Sequence, residues 1–226
     1  IAVEFYRFPR FSSADPDTPP IFILKGGPGF AGLEPDLNKL GTLENRYFNL
    51  LQVSDVIVVG QRGIGSSKPN TVVEQYGEVV AADQPYDETK AVREFRAALS
   101  RERQFWIDQG VDLDGFNVLQ CAADVRDVAR ALGYKRITLY GGSFGSHWGM
   151  AIMRSYPELV ERAVLTGMEG PNHTWDHPGW VWNVYKRVAK DAEASDRLNE
   201  LIPADGLIAT MESLVARAAK KPFEVT

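Results

Sequence analysis

The chain has 226 residues with 30 acidic and 25 basic side chains, and its bases are scattered, so it lacks the electrostatic footprint of a nucleic-acid binder. A hydrophobic share of 44% and a charged share of 24% fit a globular protein large enough for one α/β domain, or for a domain and part of a second. A single cysteine, Cys121, excludes an internal disulfide and has no companions at metal-ligand spacing, and no apolar run reaches the length of a membrane helix.

Residues 1–8 alternate Ala2, Glu4 and Tyr6 with Val3, Phe5 and Arg7, the period-two signature of a strand with one wet face, expected in an antiparallel hairpin at a sheet edge. After a Ser/Asp/Pro turn, residues 21–24 form a continuous apolar run of the kind that fills a parallel sheet. Lys25-Gly26-Gly27-Pro28-Gly29 follows at once. Such a glycine-rich loop either directs backbone N–H groups into open space, as oxyanion binding requires, or is a plain turn. Residues 53–59 make another buried strand, ending in Gly60-Gln61-Arg62-Gly63-Ile64-Gly65-Ser66-Ser67. A dinucleotide site is disfavoured, because these glycines run into Lys68-Pro69-Asn70, which breaks the helix that such a site must open.

Residues 70–86 read as a polar excursion. Residues 87–109 then read as a solvated amphipathic helix with Val92, Phe95, Leu99 and Trp106 on its apolar stripe. Asn117 with Gln120 suggests a capping box for a helix that Gly133 ends. Residues 137–140 form a strand that breaks into Gly141-Gly142-Ser143-Phe144-Gly145-Ser146 and then into a helix stopped by Pro157. Residues 163–166 make one more strand, which runs into Gly167-Met168-Glu169-Gly170. Beyond Pro171 the texture turns aromatic and helical, with segments near 181–191 and 205–220 and no strand. Two readings stand for it, a lid over an active site or the ordinary core of a helical subdomain.

Strand, Gly-x-Ser-x-Gly and helix in that order read as a nucleophile elbow, a turn tight enough to push the Ser143 hydroxyl out at the carboxyl edge of a sheet. The element order describes a mostly parallel sheet with helices on both faces, residues 1–170 forming the core and 171–226 a helical cap segment. Taken together, the Gly26-Gly27-Pro28-Gly29, Gln61-Arg62-Gly63 and Gly142-Ser143-Phe144-Gly145-Ser146 motifs resemble the α/β-hydrolase fold, in its proline iminopeptidase and tripeptidyl aminopeptidase branch, over roughly the first 170 residues. The resemblance makes Ser143 the nucleophile, gives the backbone N–H groups of Phe144 and Gly27 the oxyanion hole, and makes Gln61 and Arg62 the braces of the oxyanion loop. Lys25 and Gly60 depart from the branch, which carries histidine and aspartate there.

A serine nucleophile needs a base and an orienting acid, which in this fold follow it in the chain. Of the three histidines, His147 sits four residues past Ser143 along the next helix and reads as structural, while His173 and His177 lie at the cap entrance. The expectation is that a further C-terminal segment of the same precursor supplies the histidine and acid. Glu169, at the carboxyl end of a strand, is either an anchor for a substrate's amino group or a solvated loop carboxylate. The function expected is a serine hydrolase working through an acyl-enzyme without cofactor or metal, on the amino terminus of short peptides. The alternatives are a small ester or amide substrate, or a catalytically silent scaffold that binds a ligand or partner. No nucleic-acid or membrane partner is expected; the compartment stays open, with the cytoplasm favoured.

Overall fold

The computed structural model describes residues 1–29, 47–72, 87–172 and 177–221. Two compact units are present: Ile1–Ala81 with Asp87–Pro171, and Ala82–Tyr86 with Asn172–Thr226. The first unit holds a five-stranded sheet. Its strands are β1 (Phe5–Phe8), β2 (Ile21–Leu24), β3 (Val56–Val59), β4 (Ile137–Gly142) and β5 (Val160–Thr166), in spatial order β1-β3-β2-β4-β5. Only β1 runs antiparallel to its neighbour; β2, β3, β4 and β5 are parallel. The expected edge strand is there, but it pairs with β3 rather than closing a hairpin with the next strand in sequence.

The two central strands explain their own composition. Every residue of β2 and of β3 is buried, because both faces of the sheet are covered there. The period-two geometry of a strand then sorts their side chains. Phe22, Leu24, Ile57 and Val59 join one core with Cys121, Val125, Ile137, Leu139, Trp148 and Ile152. Ile21, Ile23, Val56 and Val58 join a second core with Phe8, Tyr47 and Leu51. Cys121 is a buried free thiol of the first core.

This unit includes the helices α1 (Glu88–Asp108), α2 (Val118–Ala131) and α3 (Phe144–Ser155). Asp87 caps α1 by accepting from the Lys90 N–H, and Asn117 caps α2 by accepting from the Gln120 N–H. The second unit carries α4 (Pro178–Glu193) and α5 (Leu207–Lys220), and among its described residues only Ala189 is buried. No helix among the described residues is long and apolar enough to cross a membrane.

Candidate active site

The parallel register decides which loops meet. Gly142, the last residue of β4, stands opposite Thr166, the last of β5, and Leu24 ends β2 opposite Gly141. Three loops therefore leave the same carboxyl edge side by side: residues 25–29, the turn at Ser143, and residues 167–171.

Ser143 is the one non-glycine residue with a positive φ among the described residues, at φ 54° and ψ −128°. Such a conformation costs about 1–3 kcal/mol and persists only where its surroundings enforce it. Here the enforcement is close packing. A Cβ on Gly141 would collide with the Gly145 carbonyl, and one on Gly145 would collide with the Leu24 carbonyl, so both positions demand glycine. The Ser143 N–H is tied to the Thr166 carbonyl at 3.0 Å. Its hydroxyl is exposed and donates to Glu169 Oε1 at 2.8 Å.

Glu169 is half-buried and held from behind. Its N–H donates to Ser146 Oγ at 2.9 Å, and that hydroxyl donates to the Ser143 carbonyl at 2.7 Å. The structure thus brings the Glu169 carboxylate onto the Ser143 hydroxyl. The signal in the sequence was its place three residues beyond a strand that runs parallel to the elbow strand.

The loop after β2 abuts the same turn. A Cβ on Gly26 would lie 2.8 Å from the Gly142 carbonyl oxygen and 3.1 Å from Ser143 Cβ, which sets Gly27 next door to the elbow. Gln61, nearly buried, braces this loop by donating from Nε2 to the Gly27 carbonyl at 2.9 Å and accepting from the Gly29 N–H at 3.0 Å. Phe144 opens α3, so its N–H is one of the first four of that helix, which have no acceptor within it.

Arg62 departs from its expected role: among the described residues it makes no hydrogen bond to the loop at residues 25–29. Its guanidinium grips both carboxylate oxygens of Asp124 on α2, at 2.8 and 2.6 Å, and donates to the carbonyls of Gly115 and Gln120. This planar, two-point pair fixes α2 against the loop after β3. A cavity of about 780 Å³ beside it is lined by Pro28, Ile64, Phe116, Val118 and Phe144, giving apolar room next to the elbow.

Two of the histidines have settled partners. His147 Nδ1 lies 3.0 Å from the Gly170 carbonyl oxygen, and its ring stacks on Phe144. His177 caps α4, its Nδ1 accepting from the Gly179 N–H at 3.1 Å. His173 lies outside the described residues.

A strained serine at a strand-to-helix turn, on the carboxyl edge of a parallel sheet covered on both faces, defines an α/β-hydrolase scaffold. The family match agrees: the alpha/beta hydrolase fold family fits residues 19–199, and the chain belongs to it. The chain is 30% identical over 230 residues to a proline iminopeptidase of Neisseria meningitidis serogroup A, covering 97% of this chain and 58% of that protein. It is 28% identical over 173 residues to the serine protease Hip1 of Mycobacterium tuberculosis (strain H37Rv), covering 72% of this chain and 32% of that one. Among solved structures, a proline iminopeptidase-related protein of Thermus thermophilus is 21% identical with a TM-score of 0.39, over 73% of this chain and 44% of its own. The chain thus spans less than two thirds of the length of these relatives.

Proposed function

We propose that the protein is a serine hydrolase that transfers an aminoacyl group from a short peptide to water, with Ser143 as nucleophile. The Ser143 proton passes to a general base as Oγ bonds to the acyl carbon; it then goes to the leaving nitrogen as the C–N bond breaks. Water repeats the sequence to free the amino acid. The N–H groups of Phe144 and Gly27 are the donors proposed for the oxyanion. The apolar cavity beside Phe144 offers space for a side chain of the substrate.

The observation that carries the substrate class is the 2.8 Å contact between Ser143 Oγ and Glu169 Oε1. In an aminoacyl group the amino nitrogen lies about 2.5 Å from the carbonyl carbon. In an attack-ready pose that carbon lies about 3–3.5 Å from the nucleophile. A carboxylate touching Oγ is therefore within reach of the ammonium of a first residue, and it can accept from both groups because its two oxygens offer about four acceptor sites. An amino terminus two residues further out would be about 7 Å away and out of reach. This favours release of single residues over tripeptides, and both over a substrate lacking a free amine.

The test compares aminoacyl p-nitroanilides with their N-acetylated counterparts in the whole protein. A preference of about tenfold or more for the free amine, shrinking in Glu169→Gln, is the expected result, in line with about 1.5–3 kcal/mol for a hydrogen bond to a charged group. Equal hydrolysis of free and acetylated substrates would overturn the aminopeptidase reading and leave an esterase or amidase.

A further inference from the structure

Two consecutive side chains on the first turn of α3 reach two consecutive residues of the loop after β5, and the chemistry proposed above uses neither. Ser146 is fully buried, and its single proton goes to the Ser143 carbonyl, which turns an oxygen lone pair toward the Glu169 N–H. His147 lies against the next carbonyl, that of Gly170. A carbonyl oxygen only accepts, so the ring places its hydrogen on Nδ1. The ring plane is set in turn by stacking on Phe144, with centroids 6.0 Å apart and planes 21° from parallel. Glu169 is thus held by its own N–H on one side and by the following carbonyl on the other. The loop begins at Gly167, which has a φ of +55°, and the Thr166 carbonyl before it receives the Ser143 N–H.

A glutamate on a loop has many rotamers, and an anchor for an amino group is effective only when its carboxylate is already in place before the substrate arrives. Resting on the proposed role of Glu169, we infer that Ser146 and His147 are positioning residues, a two-point latch that sets the Glu169 carboxylate against Ser143 and thereby fixes the preference for substrates with a free amino terminus. Ser146 supplies the acceptor for the loop's N–H and His147 the donor for its carbonyl, so the loop cannot rotate without breaking both bonds. The strained Ser143 and the two latch residues that align the specificity group therefore all lie within residues 143–147.

The experiment measures kcat/KM for an aminoacyl p-nitroanilide and for its N-acetylated counterpart in the whole protein, in Ser146→Ala, His147→Ala, His147→Asn and Glu169→Gln, and in each latch substitution combined with Glu169→Gln. Ser146→Ala and His147→Ala should each lower the ratio of free to acetylated activity about tenfold, chiefly through KM, the loss of one buried hydrogen bond. His147→Asn should keep the ratio near the parent's, because its amide N–H can replace Nδ1–H. Adding a latch substitution to Glu169→Gln should lower the ratio no further. If Glu169→Gln lowers the ratio and the latch variants lower both activities equally, the latch is overturned while the anchor stands. If Glu169→Gln leaves the ratio unchanged, the anchor itself fails and the latch has nothing to position. Thermal melts alongside show whether His147→Ala folds; where it does not, Ser146→Ala decides between these outcomes alone.

Discussion

The two edges of the parallel sheet treat their polar groups in opposite ways. At the amino-terminal edge Asp55 precedes β3 and is nearly buried. Its Oδ2 accepts from Arg7 and, at 2.6 Å, from the Tyr134 hydroxyl, while its Oδ1 accepts from the Arg10 N–H. Each group there meets another group of the fold. At the carboxyl edge the Ser143 backbone is strained, its hydroxyl is exposed, and the half-buried Glu169 carboxylate beside it accepts from that hydroxyl. The difference is that between holding and presenting: saturated polar networks stabilise, whereas the edge proposed for chemistry exposes its groups and is forced into place by glycine packing.

The largest expected effect breaks the carboxyl edge alone. Ser143→Ala in the whole protein should cost about 10⁶ in hydrolysis, the size seen when a serine nucleophile is lost. The melting temperature should stay near the parent's, since nothing new is buried. Turnover at the parent rate would show that the elbow is not where the reaction happens.

Next comes the opposite edge. Asp55→Ala removes the shared acceptor of the half-exposed Arg7, the Arg10 N–H and the Tyr134 hydroxyl and should destabilise by about 1–3 kcal/mol, the range for leaving a hydrogen-bonding group unmet. Urea unfolding measures this, and activity per folded molecule should hold. The same carboxyl predicts an acid limb. Burial, the largest influence, pushes Asp55 up, but the Tyr134 hydroxyl, the Arg10 N–H and Arg7 together outweigh it and hold the group below its ordinary value. A carboxyl lowered in the fold stabilises above its unfolded value and loses that contribution as the pH falls through the folded one. Unfolding on acidification below about pH 4 should therefore be shallower in Asp55→Asn than in the parent.

Sequence and structure agree best where a residue's role is local. The runs at 21–24 and 53–59 announce buried strands, though the second begins only at Val56, Asn117 announces a helix start, and Gly141 and Gly145 announce the elbow, because each depends on neighbours within a few residues. Pairs set by the order of strands in space were not readable. Tyr134 meets Asp55 across 79 residues and Arg62 meets Asp124 across 62, and no period or motif encodes such a meeting. The same holds for β1, whose partner β3 comes after β2 in the chain. Glu169 falls between these cases. Its position at a strand end was legible, and its contact with Ser143 follows only once β4 and β5 are known to be neighbours in parallel.

A smaller effect sharpens the comparison. If strain belongs to function, Ser143→Gly should raise stability by about 1–2 kcal/mol while abolishing hydrolysis, because glycine adopts a positive φ without cost. A variant no more stable than Ser143→Ala would mean that the turn stores no strain. The smallest effect lies at the alkaline limit. Burial first, and then the bond to Asp55, pushes the Tyr134 hydroxyl from 10.0 to about 12. A phenol raised in the fold stabilises below its unfolded value, and that contribution is lost as the pH rises from about 10 toward 12. Tyr134→Phe should therefore cost about 1 kcal/mol at neutral pH and flatten the loss of stability above about pH 10. An unchanged alkaline limb would detach Tyr134 from the network.

The most direct test of an activated serine at the carboxyl edge is chemical labelling of the nucleophile. The whole protein is treated with a fluorophosphonate and the adduct is located by peptide mass spectrometry. One adduct, on Ser143, absent in Ser143→Ala and suppressed by a free-amine aminoacyl substrate more than by its acetylated form, is the predicted result. No adduct, or an adduct on another residue, would contradict the claim that this edge of the sheet presents an activated serine.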